Sequence, residues 1–167
     1  MTYRENYPIN MLNAKEEKMA TRNQTRWHNL EFLKTDLKFS QLGNSAVFKR
    51  NSKFFISPAV SEGQHGKYWI DIREANLDKV VQDDCFLMPR IVPDLFILEK
   101  IHQLKSLLST DLMEYRPHSG KVWGIYMIIN MSEGIARLVS KKDSNKQITA
   151  KLIFKNTIMK KVIEMLA

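Results

Sequence analysis

An aspartate and an arginine stand two residues apart in "KYWIDIR", residues 67–73, a stretch that otherwise has the pattern of a buried β-strand. Side chains alternate between the two faces of a strand, so Asp71 and Arg73 share a face with Trp69, and the isoleucines take the other face. On such a face the carboxylate can bind Mg²⁺ while the cation holds a phosphate or an attacking water. A cross-strand ion pair on a solvated face is the other interpretation of the same pattern.

The loop before this strand carries two more candidate groups, in "SEGQHG", residues 61–66. Glu62 is the nearest carboxylate upstream of Asp71. His65 lies between glycines, where a histidine can act as a general base or contact a phosphate, or can simply be solvated. The four histidines do not fall in pairs at metal-ligand spacing, and Cys85 is the single cysteine, so the sequence has no zinc signature.

Two basic segments have the residue types of a nucleic-acid contact. Cations on hairpin tips can bind phosphates, and neighbouring aromatic rings can stack on exposed bases. The first segment is flanked by Phe48 and Phe54. Instead of stacking on bases, these two rings can lie in the core, since phenylalanine is usually buried. The candidate nucleic-acid-binding residues are Lys49, Arg50, Lys53, Lys141, Lys142, Lys146 and Lys151.

The net charge of +8 is unevenly distributed along the 167 residues. Lys and Arg outnumber Asp and Glu by 10 to 5 in residues 1–56 and by 9 to 3 in residues 120–167, whereas residues 57–119 have 7 against 10. This distribution favours a polyanion bound by the basic ends, with carboxylates gathered between them. A lysine-rich surface that only keeps the protein soluble is the alternative.

The composition is that of a globular protein, with 44% hydrophobic and 26% charged residues. No apolar run approaches the roughly 20 residues of a membrane helix, and the N-terminus has no secretory-signal pattern. The single cysteine suits a reducing compartment. These observations predict a cytoplasmic protein that does not enter a membrane.

Hydrophobic periodicity predicts an α+β fold in a single domain. One mixed or antiparallel central sheet is expected, with N-terminal, middle and C-terminal helices. Residues 19–167 are assigned to this domain, and residues 1–18 to a polar N-terminal tail, with Met19 as an alternative start to Met1. The predicted strands 46–50, 53–60 and 67–73 form an antiparallel meander, and the predicted helices span residues 10–36, 98–108 and 156–167. An apolar strand is predicted over residues 85–92, with a bulge or a sheet edge at Pro89. Residues 115–120 are predicted to form a loop, followed by a buried strand, 121–129, and two further strands, 135–141 and 147–154.

This order of elements resembles the core of the restriction-endonuclease-like nucleases, whose hallmark is a PD followed by (D/E)XK. Asp71 stands at the acidic position of (D/E)XK, Arg73 stands at the lysine, and Ser57-Pro58 lies where the PD is expected. The resemblance implies that Asp71 and Glu62 hold Mg²⁺ and that Arg73 contacts the scissile phosphate. Arginine keeps its proton, so Arg73 can orient a phosphate but cannot act as a base.

We therefore expect a protein that binds nucleic acid, DNA rather than RNA, and whose core is nuclease-like. Whether it cleaves phosphodiesters with Mg²⁺ stays open at this point. If it does, the candidate catalytic residues are Asp71, Arg73, Glu62 and His65, and a homodimer would suit cleavage of both strands. The alternative is a non-enzymatic subunit whose basic faces bind an acidic partner protein.

Overall fold

In the computed structural model of the chain, the residues described are 26–63, 67–91 and 93–167. Within these ranges the fold is α+β, as predicted, with strands far outnumbering helices. The predicted tail, residues 1–18, and the first half of the predicted N-terminal helix lie outside the described residues.

Most of the described strands are two to four residues long, and the longest, of eleven residues, lies in the second half of the chain. In chain order they are β1 (Ser40–Gln41), β2 (Val47–Arg50), β3 (Lys53–Ile56), β4 (Ser61–Glu62), β5 (Lys67–Arg73), β6 (Cys85–Leu87), β7 (Arg90–Ile91), β8 (Leu95–Phe96), β9 (Glu99–Lys100), β10 (Glu114–Arg116), β11 (Gly120–Asn130), β12 (Ile135–Ser140), β13 (Gln147–Lys151) and β14 (Ile153–Phe154).

Helical structure lies at both ends of the described chain and in short turns between strands. Residues 26–31 form a helix, α1, and a π-helical turn follows it, Phe32–Asp36. A four-residue helix, α2 (Glu74–Leu77), follows β5 directly. The C-terminal helix, α3 (Lys155–Leu166), is the longest among the described residues, and its bounds confirm the prediction within one residue.

The described strands belong to three hydrogen-bonded sheets rather than to one central sheet. The largest has the order β13-β12-β11-β5-β4, with β10 paired to the first residues of β11. The predicted meander is therefore wrong in its third strand. The β2–β3 hairpin forms, but β5 pairs with β4 and β11 in the large sheet, where Ile70 and Ile72 are buried.

A five-stranded sheet has the order β1-β2-β3-β6-β9, and β14-β8-β7 make a small third sheet. The predicted apolar strand from Cys85 onwards is divided, because β6 ends at Leu87 and β7 begins at Arg90. Pro89 lies in the gap, where its missing N–H removes a donor from the ladder.

The predicted middle helix is a 3₁₀ turn, Ile101–Leu104, followed by further turns. Ile101, Leu104 and Leu107 are all buried. Their three-residue spacing is the period of a 3₁₀ helix, so it suits this turn as well as an α-helix. The predicted loop at residues 115–120 is also partly strand, because β10 includes Tyr115 and Arg116.

Two apolar clusters make up the core. One lies under the large sheet and buries the inward-facing residues of β5, β11 and β12. The other packs α1 and α3 against the phenylalanines of the five-stranded sheet. Within the described ranges, every helix is too short or too polar to cross a bilayer.

Candidate functional site

The face of the large sheet that points away from the core is rich in aromatic and basic side chains. The register places Trp69 opposite Tyr126 and Asp71 opposite Gly124 on the adjacent strands β5 and β11. We call this face the platform. Strand register and side-chain contact place two carboxylates and six cations of the described residues on it: Asp71 and Glu114, and Lys67, Arg73, Arg116, Arg137, Lys141 and Lys151.

Lysine side chains lie over both platform rings. Lys141 Nζ is 4.0 Å from the centroid of the Trp69 ring and 5.4 Å from that of Tyr126. Lys67 Nζ is 4.0 Å from the Tyr126 centroid. An ammonium group at these distances is attracted by the negative face of the ring. Trp69 and Tyr126 are half-buried, so their rings are held in place but remain partly open to solvent.

Gly124 makes the close approach of these cations to β5 possible. A Cβ atom at this position would lie 2.5 Å from Lys141 Cδ and 3.4 Å from Arg116 Nη2. Any side chain on Gly124 would therefore displace Lys141. With only hydrogen there, Lys141 and Arg116 cross β11 and reach the side chains of β5.

Asp71 is the centre of the charged group on the platform. Arg116 Nη1 donates to Asp71 Oδ2 at 2.5 Å, and Arg116 Nη2 donates to Glu114 Oε2 at 3.3 Å. The ion-pair interpretation is thus correct, but the cation that contacts Asp71 is Arg116 on β10 rather than Arg73. Arg73 is exposed and makes a weaker electrostatic contribution to Asp71 than Arg116 and Lys141 do.

Burial raises the pKa of Asp71 above 3.8, and this outweighs the lowering by Arg116 and Lys141. Between the unfolded pKa and the raised folded pKa, the folded state binds more protons than the unfolded state. Asp71 therefore lowers the free energy of unfolding as the pH rises through that window.

Titration of the Asp71 carboxyl carbon by NMR should give a midpoint above 3.8. Arg116→Ala should raise this pKa further, because Arg116 is the strongest influence that lowers it, and Glu114→Gln should reduce it. The two variants are thus expected to shift the pKa of Asp71 in opposite directions. Shifts in the same direction would contradict the arrangement of charges around Asp71.

Of the residues predicted to form a catalytic group, Asp71 and Arg73 lie on the platform, but Glu62 does not. Glu62 pairs with Tyr68, whose side chain faces the side of the sheet opposite to Asp71. His65 lies outside the described residues. No cluster of three or more His, Cys, Asp or Glu side chains in the described ranges is arranged to hold a metal. The carboxylate that influences the pKa of Asp71 is Glu114, which Arg116 bridges.

The predicted nucleic-acid-binding residues lie in two separate places. Arg50 donates to the Leu37 carbonyl, and Lys53 forms an ion pair with Asp84, so both side chains of the β2–β3 hairpin are engaged within the fold. Lys49 lies near the buried ring of Phe54, at 5.3 Å from its centroid. Phe48 and Phe54 are both core residues, which confirms the alternative of burial.

Lys141 and Lys151 of the second basic segment belong to the platform, and Lys142 and Lys146 are exposed in the adjoining turn. The sequence did not identify Arg116, Gly124 or Tyr126 as part of this site. Arg116 falls in the predicted loop, residues 115–120, and Tyr126 in the predicted buried strand, residues 121–129. The alternation of β11 could have indicated that Gly124 and Tyr126 share a face, but only the register shows that they face Asp71 and Trp69.

No protein-family model, curated protein or solved structure matches this chain.

Proposed function

We propose that this protein binds nucleic acid through the platform and that its ligand is a single-stranded segment of DNA. The proposal depends on one observation. Two rings on adjacent strands, Trp69 and Tyr126, each have a lysine ammonium group 4.0 Å from the ring centroid, Lys141 over Trp69 and Lys67 over Tyr126. Proteins that bind single strands combine aromatic stacking surfaces with a basic track for the backbone.

The two rings form one surface because they are directly opposite across β5 and β11. Side chains at opposite positions of neighbouring strands have Cβ atoms about 5 Å apart. Successive bases can therefore stack on Trp69 and Tyr126, with each stacked base worth about 1–3 kcal/mol. The ammonium groups of Lys67 and Lys141 need only move from the rings to nearby phosphate oxygens.

The local charge supports a polyanion better than it supports a divalent cation. On the described part of the platform six cations share the face with two carboxylates, and Arg116 already contacts both carboxylates. Bringing Mg²⁺ to Asp71 would place it beside Arg116 and Lys141, whose positive charges oppose its binding. The proposal is therefore binding without cleavage. Kinship with the restriction-endonuclease-like nucleases stays a prediction.

Binding of a labelled oligonucleotide of about twelve nucleotides, measured by fluorescence anisotropy, tests the proposal. Affinity should fall steeply between about 50 and 200 mM salt, since bound phosphates release counterions. Lys141→Ala should reduce the slope of log K against log salt by about 0.7, the contribution of one phosphate contact on a single strand. Lys160→Ala on α3 removes the same charge outside the platform and should leave the slope unchanged.

A flat response to salt, or equal slopes for Lys141→Ala and the wild type, would contradict the proposal. In that case the alternative of an acidic protein partner would be preferred. The same mixtures with Mg²⁺ test cleavage, and production of shorter fragments that depends on Asp71 would restore the catalytic prediction.

A further inference from the structure

A polar cleft of about 350 Å³ lies beside the platform and shares residues with it. Trp69, Asp71 and Arg73 of β5 form one wall. Asn29 of α1 and Ser57, which follows β3, line the cleft from other elements. A ligand in this cleft would thus contact the platform strand and the helix together, and its volume is in the range of small-molecule sites.

Two residues that line this cleft each have a buried oxygen atom with no hydrogen-bond donor among the described residues: Asn29 Oδ1 and Asp71 Oδ1. The other polar atoms of the same two side chains are used. Asn29 Nδ2 donates to Ser57 Oγ at 3.0 Å, and Asp71 Oδ2 accepts from Arg116. Buried acceptors are nearly always paired, so two unpaired ones on residues that line a single cleft favour a bound group that supplies hydrogen-bond donors.

The charged residues of the cleft narrow the class of ligand. Arg26 and Arg73 line it and are exposed, so they can contact an anionic group at its mouth. Arg90 is already engaged, because its Nε and Nη2 donate to the Pro93 carbonyl at 3.0 and 2.7 Å. A simple metal cation would satisfy the acceptors but would lie among these arginines. A ligand with a neutral hydrogen-bond donor group and an attached anionic group would fit both the unpaired acceptors and the exposed arginines.

We propose that the cleft binds one nucleobase with an exocyclic amino group, from a strand that lies on the platform. Adenine, cytosine and guanine carry such an N–H₂ group with two donor hydrogens, whereas thymine has no exocyclic amino group and offers only its single N3–H. The amino group would donate to Asp71 Oδ1 or Asn29 Oδ1, and the nucleotide phosphate would lie near Arg26 and Arg73. Taking a base out of the stack into a pocket that reads its edge is a known mode of recognition. This inference rests on the proposed function.

The test compares three fluorescein-labelled oligonucleotides of about twelve nucleotides on the wild-type protein: oligo-dT, the same strand with one central dC, and the same strand with a central N4,N4-dimethyl-dC. The single dC should strengthen binding by roughly tenfold, and dimethylation should abolish the gain, because it removes both N–H donors and keeps the ring. Asp71→Asn and Asn29→Ala should each reduce the preference for dC.

Equal binding of all three strands would overturn the inference while leaving the proposed function intact, provided that the affinity still depends on salt and on Lys141. A preference for dC that survives dimethylation would also overturn it, since stacking alone would then explain the difference. The comparison of bases uses only the wild-type protein, so it decides the question even if either variant fails to fold.

Discussion

Phe55→Ala is expected to lower the free energy of unfolding by about 3–5 kcal/mol, as is usual for truncating a buried aromatic side chain. Phe55 is 0% exposed and lies on β3, the central strand of the five-stranded sheet. Its ring stacks on Phe39 at a centroid distance of 4.4 Å and on Phe86 at 5.6 Å. The cavity would therefore open between two large rings that cannot both collapse into it.

Denaturation in urea, followed by circular dichroism, measures this loss. Phe154→Ala is the matched control, since Phe154 is 59% exposed and its truncation should change the free energy of unfolding by no more than about 0.5 kcal/mol. Similar losses for the two variants would show that Phe55 is not in the core that the structure describes.

Trp69→Ala is expected to weaken binding of a single-stranded oligonucleotide by roughly 5- to 150-fold, the equivalent of about 1–3 kcal/mol for one stacked base. Two platform cations lie over the Trp69 ring, with Lys141 Nζ at 4.0 Å and the Arg116 guanidinium carbon at 5.9 Å from its centroid. Trp27 is 60% exposed on α1 and outside the platform, so Trp27→Ala is the matched control and should leave affinity unchanged. Equal losses for both variants would contradict a platform-specific contact.

Gly124→Ala separates the contribution of base stacking on Trp69 from that of phosphate contact by Lys141. The new Cβ would displace Lys141 while leaving the Trp69 side chain in the protein. Binding should weaken and its salt slope should decrease, whereas Trp69→Ala should keep most of the slope, because stacking does not release counterions. If both variants change the slope equally, stacking and phosphate contact are not separate contributions.

Local patterns predicted most of the secondary structure in the second half of the chain. The long strand β11, the strands β12 and β13, and α3 all follow from apolar runs with clear turns or caps between them. The middle of the chain was harder to predict. The same three-residue spacing at Ile101, Leu104 and Leu107 suits a 3₁₀ turn and an α-helix, and strands of two residues, such as β7 and β8, are too short to have a period.

For the candidate site, the sequence by itself determined that Trp69, Asp71 and Arg73 share one face of a strand, because alternation is a local property of extended backbone. Only the tertiary structure decided which residues meet them. Arg116 is 45 residues from Asp71 in the chain, and its contact depends on β10 and β5 both pairing with β11 and on the missing side chain at Gly124. Strand pairing is set by non-local packing, so the partner of Asp71 could not be identified from the residues around it.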